Sequence, residues 1–325
     1  MTFLPEFAEL SIQQQLPTGR FPAVFSGDRS TDKQDAFDWV VLNKPIILKQ
    51  LAKDGAILFR DFPLVTARDF DAFIAALDLP LFTYEESLSN AVRITVTERV
   101  FTANEAPASV SIYMHHEMAQ TPVFPSKLFF FCEKAAEKAG ETPLCRSDTL
   151  LQEIDQKLPE FADKCRTHGV KYTNYMPSED DAASGQGRSW RSTLDVGTRE
   201  EAEAKLTRLG YRWVWHADGT LEVQTAALDA VKTLPDGTEV FFNQLIAAYL
   251  GWKNGAKAIH FGDDSPLAEG DMKLVCALAD TLTFDVPWQA GDLVLVDNFR
   301  VMHGRRPFEG TRRILASLAE KATTA

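Results

Sequence analysis

The 325-residue chain reads as mainly β with α decoration, a barrel or sandwich with helices around it. Three observations predict that class. Strand-like runs cluster early and late in the chain, helix-like periodicity lies before and between them, and nothing in the middle resembles an independent domain. We therefore expect one domain over residues 1–325, with a helical and loop insertion at about 147–280.

The elements follow in order. Residues 55–60 (GAILFR) form a short apolar run that ends in a polar turn, the mark of a buried strand. Thr66 can cap a helix whose Phe70, Phe73, Ile74 and Leu77 share one face. Strand patterns then occupy 92–96, 110–117 and 127–132. A helix is expected from Thr149, with Gln152 completing a capping box and Leu150, Leu151, Ile154 and Leu158 facing inward. Residues 177–188 are small, polar and glycine-containing, which predicts an exposed loop and a candidate lid. Thr198 with Glu201 opens a charged helix that Gly210 closes, and an apolar helix covers 243–250. Strands return at 281–286, 293–296 and 313–319. Trp190, Trp213 and Trp215 read as core or lid anchors.

Composition narrows the function. A net charge of -12 disfavours nucleic acid and anionic membrane surfaces as partners, and it means that an anionic ligand needs a dedicated basic site. The four cysteines show no C-x-x-C pair and no framework spacing, so free thiols in a reducing compartment are expected. No apolar run is long enough to span a bilayer, and the first residues lack a basic-then-apolar leader pattern. The expected location is the cytoplasm.

The chemistry concentrates at 109–117 (SVSIYMHHE). Val110, Ile112 and Met114 alternate with Ser111, Tyr113 and His115, the period of a half-buried strand. On a strand His115 and Glu117 point to one side and His116 to the other, whereas a helix would set the pair roughly 200° apart. One imidazole and one carboxylate so placed supply two corners of a 2-His-1-carboxylate triad, with positions left for a bidentate cosubstrate and O₂. Of His168, His216, His260 and His303, His303 has the best context for the third corner. It follows a turn at 288–292 and a buried strand at 293–296, where the chain returns to polar residues.

These residues, with four further motifs, resemble the taurine dioxygenase/TfdA-like family, especially its clavaminate-synthase-like and syringomycin-type hydroxylase branch. The motifs are HHEM at 115–118, PSKLFF at 125–130, GETP at 140–143, VFFNQ at 240–244, and Gly291-Asp292 through Arg313. The resemblance implies a double-stranded β-helix (jelly-roll) core, Fe(II) held by His115, Glu117 and His303, and 2-oxoglutarate as cosubstrate. It also implies that Thr142 and Arg313 bind the distal carboxylate of 2-oxoglutarate. The residue alternation puts Arg313 with Leu315 on one face and Arg312 on the other, and a planar guanidinium suits a carboxylate. Glu117 argues against halogenation, for which the family replaces the carboxylate by a small residue. Ser317 stands where taurine dioxygenase grips a sulfonate with arginine, which argues against a sulfonate substrate. Asn243 and Gln244 are candidate substrate-lining residues.

The implied reaction is oxidation of a small molecule by O₂, hydroxylation by default, with release of succinate and CO₂. Desaturation, epoxidation and cyclisation are variants of the same site. The resemblance points to an amino acid, free or bound to an aminoacyl carrier protein. Two other classes compete: a zinc-dependent hydrolase, since His-Glu-His sites also bind zinc, and a jelly-roll binding protein with a relict metal site. Neither requires O₂-dependent release of CO₂.

Overall fold

The structure, a computed structural model, describes residues 3–16, 19–83, 88–89, 93–103, 106–180, 187–252 and 255–323. Its helices are α1 (Lys33–Asp54), α2 (Ala67–Leu77), α3 (Ser147–Lys157), α4 (Pro159–His168), α5 (Trp190–Leu194), α6 (Arg199–Arg208), α7 (Leu245–Gly251) and α8 (Glu269–Thr281). A seven-stranded sheet runs in the order Glu6–Phe7, Ala23–Ser26, Ala56–Arg60, Leu293–Asp297, Val123–Lys134, Arg313–Thr323, Phe101–Thr102. Its strands pair antiparallel except for Ala23–Ser26 beside Ala56–Arg60. A four-stranded sheet has the order Thr283–Val286, Thr142–Arg146, Val301–Arg305, Ile112–His115.

Side-chain packing stacks these elements in four layers. On one face of the large sheet, Phe25, Phe59, Phe129, Phe131, Leu295 and Leu315 pack against Val40, Ile47 and Leu51 of α1 and Phe70 and Phe73 of α2. On its other face, Leu58, Leu128, Val294, Val296 and Leu318 meet Leu144, Phe284, Val286 and Val301 of the small sheet. The small sheet's far face, with Met114, Cys145 and Met302, lies under α3, α4, α7 and α8. Both sheets are thus covered on both sides. Residues 293–296 are all fully buried, which explains their unbroken apolar run. Truncating a ring such as Phe59 in this core costs about 3–5 kcal/mol.

Among the described residues, the chain between Arg146 and Thr283 stays out of both sheets. It supplies α3 to α8 and a separate four-stranded sheet, Arg212–Trp215, Leu221–Gln224, Val170–Met176, Ile259–Phe261. Trp190 is buried there and meets Trp215 edge-on at 5.0 Å, so these rings are packing anchors. Among the described residues no helix is long and apolar enough to cross a membrane.

Several expectations need correction. The fold is mixed helix and strand rather than mainly β, and neither main sheet closes on itself among the described residues. The 22-residue α1 left no clear pattern because Pro45 interrupts it and Val41, Leu42 and Ile46 face solvent, which blurs any apolar stripe. The α3 helix begins at Ser147 without a side-chain cap, and α7 begins at Leu245. The strand expected at 281–286 is Thr283–Val286, because α8 runs to Thr281. Of the strand expected at 92–96, residue 92 lies outside the described residues, and the rest makes a single bridge from Thr95 to Phe101. Within the loop at 177–188, residues 181–186 likewise lie outside them.

Candidate active site

The structure brings His115, Glu117 and His303 together between the sheets. His303 is the cross-strand partner of His115 on one side and of Leu144 on the other, and the two rings stand 4.3 Å apart. The strand Ile112–His115 stops at its histidine, so Glu117 belongs to the turn beyond it rather than to the strand. That turn is held by side-chain amides. Glu117 N donates to Asn298 Oδ1 at 2.8 Å, and Asn298 Nδ2 donates to Glu117 O at 3.0 Å and Pro125 O at 2.8 Å. Met118, at φ +58°, turns the chain away. Glu117 Oε2 ends 3.7 Å from His115 Nε2 and 3.5 Å from His303 Nε2, and one donor atom from each residue lies within 4.8 Å of the others.

These donors suit a divalent metal. Two ligands about 2.1 Å from a shared ion at right angles stand about 3 Å apart, so a small contraction would close the site. Protonation is also right for ligation. His115 Nδ1 donates to Tyr113 O at 2.8 Å, which leaves the Nε2 lone pair for metal. Burial, the largest cause, pulls His303 down to about 4, so its ring is neutral. Its Nδ1 is buried without a hydrogen-bond partner. Burial alone would raise the Glu117 carboxyl. The two facing imidazoles, His115 and His303, and the Arg93 charge outweigh that and hold it well below the usual carboxylate range. His116 faces away, as expected. Its buried ring spans Asn298 O and Phe241 O, and burial pulls it down to about 3.

The basic end of the site differs from expectation. On the last strand, Leu315 and Ser317 pair with Phe131 and Phe129, while Ala316 pairs with Phe130. Phe129, Phe131 and Leu315 belong to the helix-facing core, whereas the Phe130 ring contacts His303 at 5.1 Å. The ladder shifts register between Arg313 and Ile314, Arg312 lies just before the strand, and the site lies on the side opposite to Leu315. Arg313 is half exposed and pairs with Glu133 Oε2 at 2.6 Å. It is Arg312 that turns toward Thr142: its Nη2 reaches Thr142 Oγ1 at 3.3 Å and its Nε donates to Gly140 O at 2.8 Å. Trp288 Nε1 donates to the same Oγ1 at 3.0 Å. Arg312 has no carboxylate at ion-pair distance among the described residues. Burial, with the charge of Arg305, pulls it down to about 10.

The same inversion displaces Ser317. It is fully buried on the helix-facing side, away from His303, and its Oγ has no hydrogen-bond partner among the described residues; the inward residue beside it is Ala316. Asn243 and Gln244 are also occupied elsewhere. Asn243 Nδ2 donates to Ala230 O at 3.1 Å, and its Oδ1 accepts from Leu245 N at 3.0 Å at the start of α7. Gln244 Nε2 donates to His116 O at 2.9 Å. Both residues brace the ligand turn against α7 instead of lining a substrate pocket.

Arg93 is the residue that sequence reasoning missed. Its Nη2 stands 3.8 Å from Glu117 Oε1, with little of the side chain exposed. A lone arginine in a polar stretch carries no pattern that could have marked it.

Comparison with known proteins agrees with this geometry. Residues 29–318 match the family model described as taurine catabolism dioxygenase TauD, TfdA family. A clavaminate synthase-like protein of Arabidopsis thaliana is 35% identical over 95% of this chain and 96% of its own. The dapdiamide synthesis protein DdaC of Enterobacter agglomerans is 26% identical over 83% of each chain. A structure from Burkholderia xenovorans, described as an alpha-ketoglutarate-dependent taurine dioxygenase, shares the fold at a TM-score of 0.55 and 13% identity, covering 99% of this chain and 91% of its own. With most of its length matched, the chain belongs to the TauD/TfdA family and is a 2-oxoglutarate-dependent dioxygenase.

Proposed function

We propose that this enzyme hydroxylates a small amino-acid-type substrate, free or carried on an aminoacyl carrier protein, at an iron(II) held by His115, Glu117 and His303. Arg312, rather than Arg313, grips the distal carboxylate of 2-oxoglutarate, and Thr142 assists. We read the two facing sheets as a double-stranded β-helix in a single domain over 1–325, with the segment at about 147–280 as an insertion. The cytoplasm is the expected location, which the four unpaired thiols favour.

The observation that carries the reading is Arg312. A partly buried cation with no acidic partner among the described residues is stabilised when an anion meets it. Thr142 lies two residues from Leu144, the cross-strand partner of His303, so the basic site and the metal site share one strand pair. A zinc hydrolase has no use for that second site. When bound, iron(II) with 2-oxoglutarate supplies O₂ activation coupled to loss of CO₂ and formation of succinate. The protein's share is placement. The neutral His303 ring presents a lone pair, Asn298 fixes the backbone of Glu117, and the Phe130 ring packs beside His303. An amino-acid substrate is supported by likeness to the clavaminate-synthase-like branch and to a relative named for dapdiamide synthesis. The test is anaerobic titration of the iron(II)-loaded chain with 2-oxoglutarate. A weak visible charge-transfer band is expected, and its absence at full iron loading overturns the reading.

A further inference from the structure

The hydroxyl of Thr142 is approached from two sides, and both neighbours can only donate. Trp288 Nε1 gives its hydrogen to Oγ1 at 3.0 Å, and Arg312 Nη2 gives another at 3.3 Å. A hydroxyl oxygen has two lone pairs, so both are spent and its own proton must leave in a third direction. Thr142 is 3% exposed, and among the described residues Oγ1 donates to no acceptor. A buried donor in this state calls for an acceptor from outside the chain, and a carboxylate is an acceptor only.

The indole that fixes this direction sits on a turn with little freedom. Arg60 Nη2 donates to Pro287 O at 2.8 Å and to Asp292 Oδ2 at 2.6 Å, and Arg60 Nε donates to Asp292 Oδ1 at 3.2 Å. Asp292 is fully buried and also accepts from Gln289 N at 2.9 Å. Both neighbours of Trp288 are thus tied to one buried ion pair, and its own N donates to Val286 O at 3.0 Å. Val286 is the cross-strand partner of Thr142, which brings Trp288, two residues on, alongside the hydroxyl. The ring packs against the core between the sheets. A plain apolar ring would serve that packing; the indole adds one N–H, and that N–H is given to Thr142.

We propose that Trp288 is a positioning residue for 2-oxoglutarate: it holds the Thr142 hydroxyl so that its proton points at the distal carboxylate. This rests on the reading of Arg312 and Thr142 given above.

The test uses the full chain loaded with Mn(II), so that no turnover intervenes, and reads dissociation constants by calorimetry. Trp288→Phe keeps an apolar ring and removes the N–H. It should weaken 2-oxoglutarate by roughly 3- to 10-fold, as for one neutral hydrogen bond. Thr142→Val should weaken it by roughly 10-fold or more, since the bond it deletes meets a charged group. In a Thr142→Val background, Trp288→Phe should add less than about twofold, the mark of two residues acting as one. 2-Oxopentanoate keeps the metal-chelating end and carries a methyl in place of the distal carboxylate, and Trp288→Phe should leave its affinity within roughly twofold. Benzothienylalanine at position 288 keeps the bicyclic ring and replaces the N–H by sulfur. It should match Trp288→Phe, and it replaces that variant if the smaller ring unsettles the fold. The proposal is overturned if loss of the N–H leaves 2-oxoglutarate affinity unchanged, or if the loss persists in full beside Thr142→Val. It is also overturned if 2-oxopentanoate weakens equally, since the indole would then serve packing alone. Normal 2-oxoglutarate binding by Thr142→Val removes this proposal and leaves the oxygenase reading standing. Failure of the wild-type chain to bind 2-oxoglutarate at all overturns the oxygenase site, and this proposal with it.

Discussion

The turn at 115–117 and the strand Arg313–Thr323, with Arg312 just before it, both border the space between the sheets, but they are held in different ways. The turn is fixed by hydrogen bonds to its backbone: Glu117 to the Asn298 side chain, and His116 N to Asn243 O at 3.2 Å. The strand is fixed by two apolar layers, with Leu315 packed toward the helices and Leu318 toward the small sheet. In the turn, the backbone groups have specific partners, and these set how His115 and Glu117 present their side chains. In the strand, both faces are buried and only a charged residue's partner shows which face is the site. Arg312 meets Thr142 and Gly140, whereas Arg313 meets Glu133 near solvent.

This difference ranks the substitutions. Glu117→Ala removes the only carboxylate among the three donors. Loss of an outer partner of a metal ligand already costs 10–100-fold, so loss of the ligand itself should weaken iron(II) or Mn(II) by more than roughly 100-fold and abolish turnover. Metal titration with coupled succinate release measures both, and near-normal values would remove Glu117 from the site.

Arg312→Ala comes next. Truncating one partner of a buried charge pair costs about 2–5 kcal/mol, so 2-oxoglutarate should bind roughly 30-fold or more weakly in the metal-loaded protein. Arg313→Ala should have the smallest effect. It breaks a half-exposed pair worth about 0–1 kcal/mol and should leave 2-oxoglutarate affinity within roughly twofold. Titrating both variants without O₂ sharpens the comparison, and a large loss for Arg313→Ala beside a normal Arg312→Ala would reverse the strand's facing.

The ligand candidates were legible because each sits in a short, distinctive context: His115 and Glu117 at the end of an alternating run, His303 after a buried strand. Even there the detail differed. The strand ends at His115, and Glu117 reaches the imidazoles from a turn pinned by Asn298, a residue far along the chain. Asn243 and Gln244 stood in a recognisable motif, yet the Asn243 side chain ties Ala230 O to the start of α7 and the Gln244 side chain holds His116 O. A motif shows that a residue is constrained without showing by what. Arg93 left no trace, since its place depends on a long-range approach to Glu117.

By itself the sequence determined the chemistry available: two imidazoles and a carboxylate in strand-like contexts, two adjacent arginines on opposite faces, and an acidic chain in which an anion needs a buried cation. Period-2 alternation can separate Arg312 from Arg313 because successive side chains must point to opposite sides. It cannot say which side is the site when both are apolar. That choice fell to the tertiary structure, which covers one face of the large sheet with α1 and α2 and leaves the other to meet the small sheet, where Thr142 and His303 wait beside Arg312 and Phe130.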